Sequence, residues 1–397
     1  NGFLDESPTT SLSKTVVYDS PEALEAHLVG CYNILHNGNL WKGTMMEFFH
    51  TASGLAIWKG QRTTDEWLDG LYFTKFSTSA YGNKNIWVNL WCAVNRLNVL
   101  IDNLPGSPVD DDYKAEVEGE ARFVRALLLF TAVRIWGDVP MPLTSAKSEA
   151  DTNLPRTAWS KVYTQVIADL EFAEANMRDK IRQEDVNFEQ NRPDKWAATA
   201  LKSNVYLTIG PLLAHPDDTF GDATKDAALI AEGKDPRTPD FSSVNINSAA
   251  DAFKLALDTA EDVIAHGPYS LVPDYRTLFR WTEPGAFFLP EGIFVLPSSN
   301  TSGTNYLAVR TLPEKLEGTA NVETSNSNWG RVRPSRFAIE NFLKYTGGTK
   351  GEVDSANEFL YATTTDPRYK ASFLVSFKKI GSTSNTNTYP TVSYINS

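Results

Sequence analysis

The sequence lacks any run of 18 consecutive apolar residues, so no segment is suited to cross a bilayer as a helix. Two residue types are scarce, with two cysteines and five histidines in 397 residues. Neither a CxxC pair nor a Cys/His cluster occurs, which argues against a zinc site. Cys31 and Cys92 each lie in an apolar helical pattern. We expect two buried free thiols, with a disulfide as the alternative in an oxidising compartment.

Basic residues are outnumbered, with 37 Lys and Arg against 49 Asp and Glu, and the formal net charge is -12. An acidic surface does not attract nucleic acid or an anionic membrane surface. We therefore expect no nucleic-acid partner and no direct electrostatic binding to membranes.

The common catalytic and nucleotide-binding motifs are missing: there is no GxSxG, no HExxH, no P-loop and no GxGxxG followed by an acidic residue. The acidic runs at 110–112 and 217–218 lack the spacing of a calcium loop, and we interpret them as solvated charges flanking helices. A glycoside hydrolase would need two carboxylates at a defined separation, which a sequence does not reveal. That alternative is the least favoured. The sequence thus gives little support for a catalytic site, and we predict no metal or cofactor.

Six segments have apolar residues at the helical period. The predicted helices are 20–35, 83–104, 116–135, 157–177, 195–209 and 249–266. Pro211 is expected to end the fifth helix, and Phe253, Leu257, Ala260 and Ile264 form the apolar row of the sixth. The helices come in pairs joined by short turns, which is typical of tetratricopeptide-like repeats. Their irregular spacing leaves an irregular α-helical bundle as an equal alternative.

Two stretches follow neither the helical period nor the strand period, namely 36–82 and the chain from 269 onward. Short strands or extended pieces are expected at 269–271, 292–296 and 373–377, and a short helix at 340–344. Long irregular segments in a compact chain are often functional loops. Here aromatic rings alternate with polar residues, a combination that holds carbohydrate and peptide ligands. The candidate platform residues are Trp58, Trp67, Tyr72, Phe73, Trp281, Tyr306 and Trp329. For each of them a place in the core is the alternative.

The most specific stretch is 116–142, EVEGEARFVRALLLFTAVRIWGDVPMP. It predicts a helix that is apolar on two faces and therefore packed between neighbours. Gly137 permits a left-handed cap, and the prolines that follow cannot continue the helix. This stretch resembles the hallmark of the SusD/RagB family. The matching signature residues are Glu120, Arg122, Arg125, Arg134, Gly137, Asp138 and Pro140.

Weaker echoes of the same family follow in order along most of the chain, including ALEAHLVGCY at 23–32 and KWAATALKSNVYL at 195–207. The resemblance implies a mainly α, SusD-like fold that forms a single domain over 1–397. Tetratricopeptide-like helix pairs over 20–267, with a loop insertion at 36–82, would support an irregular, loop-rich binding subdomain with a few short strands. That subdomain would occupy 268–397.

The resemblance also implies a function. Members of the family are outward-facing, lipid-anchored outer-membrane proteins of Bacteroidota, and they are binding proteins without enzymatic activity. They capture a glycan or peptide ligand and deliver it to a SusC-like TonB-dependent transporter. Aromatic platforms favour a glycan; a peptide-binding lipoprotein of the RagB type and a helical-repeat interaction scaffold are the alternatives. The signature residues are expected to make structural ion pairs, because the family's ligand residues lie in loops without a fixed motif.

Two features depart from the family pattern. The lipidated cysteine expected just before Phe3-Leu4-Asp5 is absent, and we expect that it has been removed to give a soluble form. The membrane anchor would then lie outside this chain. The family also continues beyond Asp366-Pro367-Arg368 into a further helix. Either that C-terminal part is missing here, or this member differs from the pattern.

Overall fold

The computed structural model describes residues 18–41, 43–46, 49, 53–58, 81–179, 192–217, 237–275, 278, 290–296, 332–334, 336–347, 366, 368, 376–377 and 389–390. The chain divides into two compact units. The first unit comprises Asn1–Ile34, Leu90–Leu271 and Phe288–Leu296. The second unit comprises Leu35–Asn89, Val272–Phe287 and Pro297–Ser397.

The fold is mainly α-helical, as predicted. Its α-helices include α1 (Pro21–Leu35), α2 (Tyr81–Asn103), α3 (Asp111–Trp136), α4 (Trp159–Asn176), α5 (Lys195–Ala214), α6 (Ala249–His266) and α7 (Arg336–Thr346). The short helix expected at 340–344 is the central part of α7. None of the helices described combines the length and apolarity that a membrane span requires.

Side-chain caps determine where several helices begin. Ser20 Oγ accepts a hydrogen bond from the Ala23 amide at 3.2 Å and so caps α1. Asp194 Oδ1 accepts from the Ala197 amide at 2.8 Å at the start of α5. Asp110 caps α3 by accepting from two amides of the first turn, so α3 begins at Asp111, five residues before the predicted start at 116. The acidic run at 110–112 is thus a helix start, which agrees with its interpretation as helix-flanking charge.

Consecutive helices of the first unit pack against one another, α3 against α4, α4 against α5, and α5 against α6. Helices α3 and α4 are antiparallel, because Arg125 pairs with Asp169 while Phe130, one turn later, contacts Tyr163. The buried apolar residues of α3 lie on both of its sides, as its sequence predicted. They are Val117, Ala121, Phe123, Val124, Ala126, Leu128, Leu129, Phe130, Ala132 and Val133.

Pro211 does not end α5, contrary to the prediction; the helix continues to Ala214. Proline removes one amide donor and crowds the carbonyl one turn earlier, that of Leu207. The Leu207 side chain is 56% exposed, so this part of the helix faces solvent. The last turn is closed after the proline by the His215 amide, which donates to the Pro211 carbonyl at 3.0 Å. A proline near the exposed end of a helix is therefore tolerated here.

The apolar row predicted for α6 is not its buried side. Phe253, Leu257 and Ile264 are 41%, 57% and 81% exposed, whereas Ala252 and Ala256 are buried against α5. Small residues permit this close approach: a Cβ at Gly210 of α5 would lie 2.4 Å from the Phe253 ring. The periodicity correctly identified an apolar face, but the contact with α5 involves Ala252, Ala256 and the half-exposed Phe253, while Leu257 and Ile264 stay exposed.

Two short antiparallel ladders occur in the described part of the second unit. Strand β1 (Ala56–Trp58) pairs with β2 (Val332–Pro334), and β3 (Ser376–Phe377) pairs with β4 (Tyr389–Pro390). The strand β3 falls within the segment 373–377, where a strand was expected.

Of the two alternatives predicted for 269–271 and 292–296, the strand is wrong, since neither described segment belongs to a strand. The Ser270 amide instead donates a hydrogen bond to the Pro290 carbonyl at 3.0 Å. The apolar character of 292–296 serves the core. The Phe294 ring lies 5.3 Å from that of Phe123 and 6.2 Å from that of Tyr32.

The cysteines are both free, and the expectation of two buried thiols holds for Cys31 alone, since Cys92 is exposed. Leu90 and Val94 lie on the buried face of α2, and Cys92, two residues from each, points to the opposite side. Burial raises the pKa of the Cys31 thiol to about 12, an effect that Arg96 partly opposes.

We expect Ellman's reagent at pH 8 to modify Cys92 in the folded protein and to reach Cys31 only after denaturation, because the thiolate is the reactive species. The Cys92→Ser variant is the control, and its folded form should give no rapid reaction. Rapid modification of both thiols in the folded protein would contradict the placement of Cys31.

Candidate functional site

The signature helix α3 holds a buried carboxylate, Glu120, that ties three segments together. Its two oxygens accept hydrogen bonds from Arg192 Nε and Nη2 at 3.0 and 2.5 Å. The Tyr32 hydroxyl of α1 donates to the same carboxylate at 2.5 Å. Arg192 also contacts Glu25 of α1, with Nη1 2.7 Å from Oε1. Glu120 and Arg192 are only 1% and 7% exposed.

Burial raises the pKa of the Glu120 carboxyl, and the neighbouring Arg192 guanidinium opposes that rise. Burial also raises the pKa of Tyr32 well above its ordinary value, with the Glu120 charge adding to the effect. The phenol therefore stays protonated and acts as a donor. With two donating groups already in contact, this carboxylate is a structural tie and not a vacant acceptor.

A second buried ion pair lies further along α3. Arg125 forms a bidentate pair with Asp169 of α4, with Nε–Oδ2 and Nη2–Oδ1 distances of 2.8 and 2.7 Å. Its Nη1 donates to Asn98 Oδ1 at 2.9 Å. Asn98 in turn donates to the carbonyls of Pro142 and Thr144, at 2.9 and 3.2 Å. This network connects α2, α3, α4 and the connector that follows α3.

The remaining two signature arginines make partly exposed contacts. Arg122 pairs with Glu118 at 2.6 Å on the same helix, and its guanidinium carbon lies 4.1 Å from the centre of the Phe172 ring. Arg134 lies 4.1 Å above the Phe130 ring, and its Nε donates to the Phe130 carbonyl at 3.3 Å. These arginines brace α3 against its own turns and against α4.

The end of α3 is formed by Gly137, Asp138 and Pro140. Gly137 has a φ of 67° and a ψ of -119°, so the predicted positive φ is present but the residue lies outside the left-handed helical region. A side chain would strain this conformation. Asp138 Oδ1 accepts from the Trp159 amide at 2.8 Å and so holds the first turn of α4. Val139 pairs with Thr157 immediately before Pro140.

The signature residues thus form a brace between helices and the connector. Among the described residues, no group of three or more His, Cys, Asp or Glu side chains is arranged to hold a metal ion. Two important partners, Asp169 and Arg192, were not chosen as candidates from the sequence. Asp169 had a detectable signal, because it shares the apolar face of α4 with Val166 and Ala173. Arg192 had none.

The predicted aromatic platform falls almost entirely outside the described residues. The assignment of six residues stays a prediction because they lie outside the described part of the chain: Trp67, Tyr72, Phe73, Trp281, Tyr306 and Trp329. The backbone of Trp58 is described. It is the last residue of β1 and is paired with Val332, the first residue of β2.

A comparison with protein families finds a match over residues 2–207 to a SusD-like model described as starch-binding associating with outer membrane. Among curated proteins, SusD-like protein P25 of Formosa agariphila is 24% identical over 217 residues, which cover 52% of this chain and 39% of P25. A SusD-like protein of Bacteroides ovatus is 26% identical over 215 residues, which cover 52% of this chain and 36% of that protein. The alignments thus span less than half of these relatives.

Solved structures share the fold at low sequence identity. A SusD superfamily protein from Parabacteroides distasonis has a TM-score of 0.60 at 17% identity, with 89% of this chain and 64% of that chain covered. A laminarin-binding SusD-like protein has a TM-score of 0.59 at 19% identity, with 90% and 67% covered. The hallmark of α3, the family match over more than half of the 397 residues and the shared fold lead to one conclusion: this chain belongs to the SusD-like family.

Proposed function

We propose that this protein captures a glycan at the outer face of the outer membrane and delivers it to a SusC-like TonB-dependent transporter. The description of its family as starch-binding and associating with the outer membrane supports this proposal. A structural neighbour that binds laminarin supports a glycan as the ligand. We propose further that a lipid anchor outside this sequence holds the protein at the membrane, and that binding occurs without catalysis.

The ladder between β1 and β2 is the observation that supports the binding site best. Trp58 leads directly into the window that contains Trp67, Tyr72 and Phe73. Val332, its partner, follows the window that contains Tyr306 and Trp329. The Trp58–Val332 end of the ladder therefore adjoins both aromatic-rich segments predicted from the sequence, 58–73 and 306–329, which we call the aromatic windows.

The separation along the chain is short at this end of the ladder. Trp329 lies three positions before Val332 in the sequence. A chain of that length spans no more than about 11 Å. Paired residues of an antiparallel ladder add about 5 Å between Cα atoms. Aromatic rings from both windows can thus contribute to one platform for the apolar faces of sugar rings.

Calorimetric titration with maltoheptaose, laminarihexaose and a set of peptides tests this site. We expect glycan binding to weaken about tenfold or more in each of the Trp58→Ala, Trp67→Ala and Trp329→Ala variants. The matched control is Trp196→Ala, which removes an indole of α5 whose Nε1 donates to Asp179 at 3.0 Å. Undiminished glycan binding in all three variants would refute the assignment of the site.

The same titrations and one further assay separate the alternatives. Binding of peptides without binding of glycans would favour a peptide-binding lipoprotein. Co-purification from solubilised outer membranes should recover a TonB-dependent transporter. Recovery of a soluble protein in its place would favour an interaction scaffold.

A further inference from the structure

Helix α7 in the second unit exposes two aromatic rings on one side. Phe337 and Tyr345 are 60% and 79% exposed, while Leu343 is 2% exposed. Successive residues turn by 100° about the helix axis, so Phe337, Asn341 and Tyr345 lie within one arc of about 80°. Leu343 lies opposite the middle of that arc, which explains why it is buried while the rings are not.

Polar groups accompany the rings on this side of the helix. Asn341 lies between them and donates through Nδ2 to the Phe337 carbonyl at 3.0 Å. Lys344 is exposed on the same side, and its Nζ lies 5.5 Å from the centre of the Tyr345 ring. We call the surface formed by Phe337, Asn341, Lys344 and Tyr345 the α7 face. It pairs flat apolar rings with an amide and an ammonium group, which can bond to hydroxyl groups.

The composition of the α7 face indicates what it binds. Its exposed apolar members are both aromatic, and aromatic rings stack on the apolar faces of sugar rings. The exposed side of α6 provides a contrast, because Leu257 and Ile264 are aliphatic and suit packing against another helix, and the ring of Phe253 already lies against Gly210 of α5. A glycan is therefore the occupant that best matches the α7 face.

The position of α7 along the chain connects it to the proposed site. Strand β2 ends at Pro334, and α7 begins two residues later at Arg336. The helix therefore follows one end of the β1–β2 ladder, whereas the two aromatic windows join the other end. A three-residue ladder is about 7 Å long. The Cα atoms of Phe337 and Tyr345 are about 12 Å apart along the helix axis. A single sugar does not span these distances, whereas a glycan chain does.

We propose that the α7 face is a second glycan-contact surface, which stacks on further sugar units of a polysaccharide chain held at the aromatic windows. The proposal rests on the glycan-binding function proposed above and makes it specific: the ligand is a long chain and not a short oligosaccharide. Short glycans would occupy the windows alone.

The test compares ligands of different length. Affinity electrophoresis with laminarin and soluble starch measures polysaccharide binding, and calorimetry with laminaritriose and maltotriose measures binding of short chains. The Phe337→Ala/Tyr345→Ala variant should bind polysaccharide about tenfold more weakly and the trisaccharides as the unaltered protein does. Substitutions at such exposed positions change stability little, so the variant should fold.

Two further variants make the result specific. Tyr345→Trp retains a flat ring and should retain polysaccharide binding. Ile264→Ala removes a side chain of similar exposure, 81%, from α6 and should leave binding unchanged. Equal polysaccharide affinity in the double alanine variant, or an equal loss for trisaccharides, would overturn the α7 face while leaving the proposed function intact. If the unaltered protein binds neither polysaccharide nor trisaccharide, both proposals fail.

Discussion

The Glu120→Gln variant is expected to lose about 3 kcal/mol of the free energy of unfolding, because removing one partner of a buried ion pair leaves the other charge uncompensated. The substitution keeps the shape of the side chain and removes its charge. Arg192, at 7% exposed, would retain the Glu25 carboxylate, which is why we expect the lower end of the usual range. Urea denaturation followed by far-ultraviolet circular dichroism measures the change, since this signal reports the helices.

The matched control for this prediction lies on the same helix. Glu118 pairs with Arg122, but both side chains are more than one-fifth exposed, at 22% and 26%. Ion pairs in contact with water contribute about 0.2–1 kcal/mol. The Glu118→Gln variant should therefore have a free energy of unfolding close to that of the unaltered protein. Equal losses in the two variants would contradict the role of Glu120 as a buried tie.

The Asp169→Asn variant should be destabilised at least as strongly, by about 3–5 kcal/mol. Asp169 and Arg125 are 0% and 3% exposed, and the pair is bidentate. Without the carboxylate, the guanidinium keeps only neutral partners within this network, Asn98 and the Leu143 carbonyl. Because Asn98 also holds the connector after α3, we expect faster amide exchange at residues 143–145 in this variant.

The control for Asp169 is Asp258, which pairs with Lys254 on the exposed side of α6 at 2.6 Å. The Asp258→Asn variant should show little change in the free energy of unfolding and none in amide exchange at 143–145, since the two side chains are largely exposed. If Asp169→Asn behaved like Asp258→Asn, the ion pair of α3 and α4 would contribute little to the fold.

The helices could be predicted because local signals agree with one another. Ser20 and Asp194 are residue types favoured at helix starts and cap their helices, and the two-sided apolar pattern of α3 corresponds to its buried position between neighbours. Each of these signals depends on residues within a turn or two. The start of α3 was placed too late because polar residues of its first turn mask the apolar period.

The predictions that were wrong concern segments whose burial or conformation depends on tertiary contacts. Periodicity identifies an apolar face on α6 but does not reveal that Ala252 and Ala256 contact α5 while Leu257 stays exposed. A run such as 292–296 has the composition of a strand, yet Phe294 packs between rings of the first unit's core. The exposure of Cys92 could have been predicted from the sequence, because a helical wheel of α2 places it opposite Leu90 and Val94.

The residues of the candidate site could be predicted from the sequence, but their arrangement in space could not. Irregular aromatic windows carry no period, so each ring can be named but not positioned. The pairing of Trp58 with Val332 joins segments that are far apart in the chain, and no local signal reports such a contact. A short helix was predicted at 340–344, but its sequence does not reveal that neighbours cover Leu343 and leave Phe337 and Tyr345 exposed.

Hydroxyl-radical footprinting of the unaltered protein, with and without laminarin or soluble starch, tests most directly whether the aromatic windows bind glycan. Rings covered by a bound sugar chain are shielded from oxidation. We predict protection at Trp58, Trp67 and Trp329 with either polysaccharide, and unchanged oxidation at Trp196 of α5. Unchanged oxidation of all three window residues with both polysaccharides would contradict glycan capture at this site.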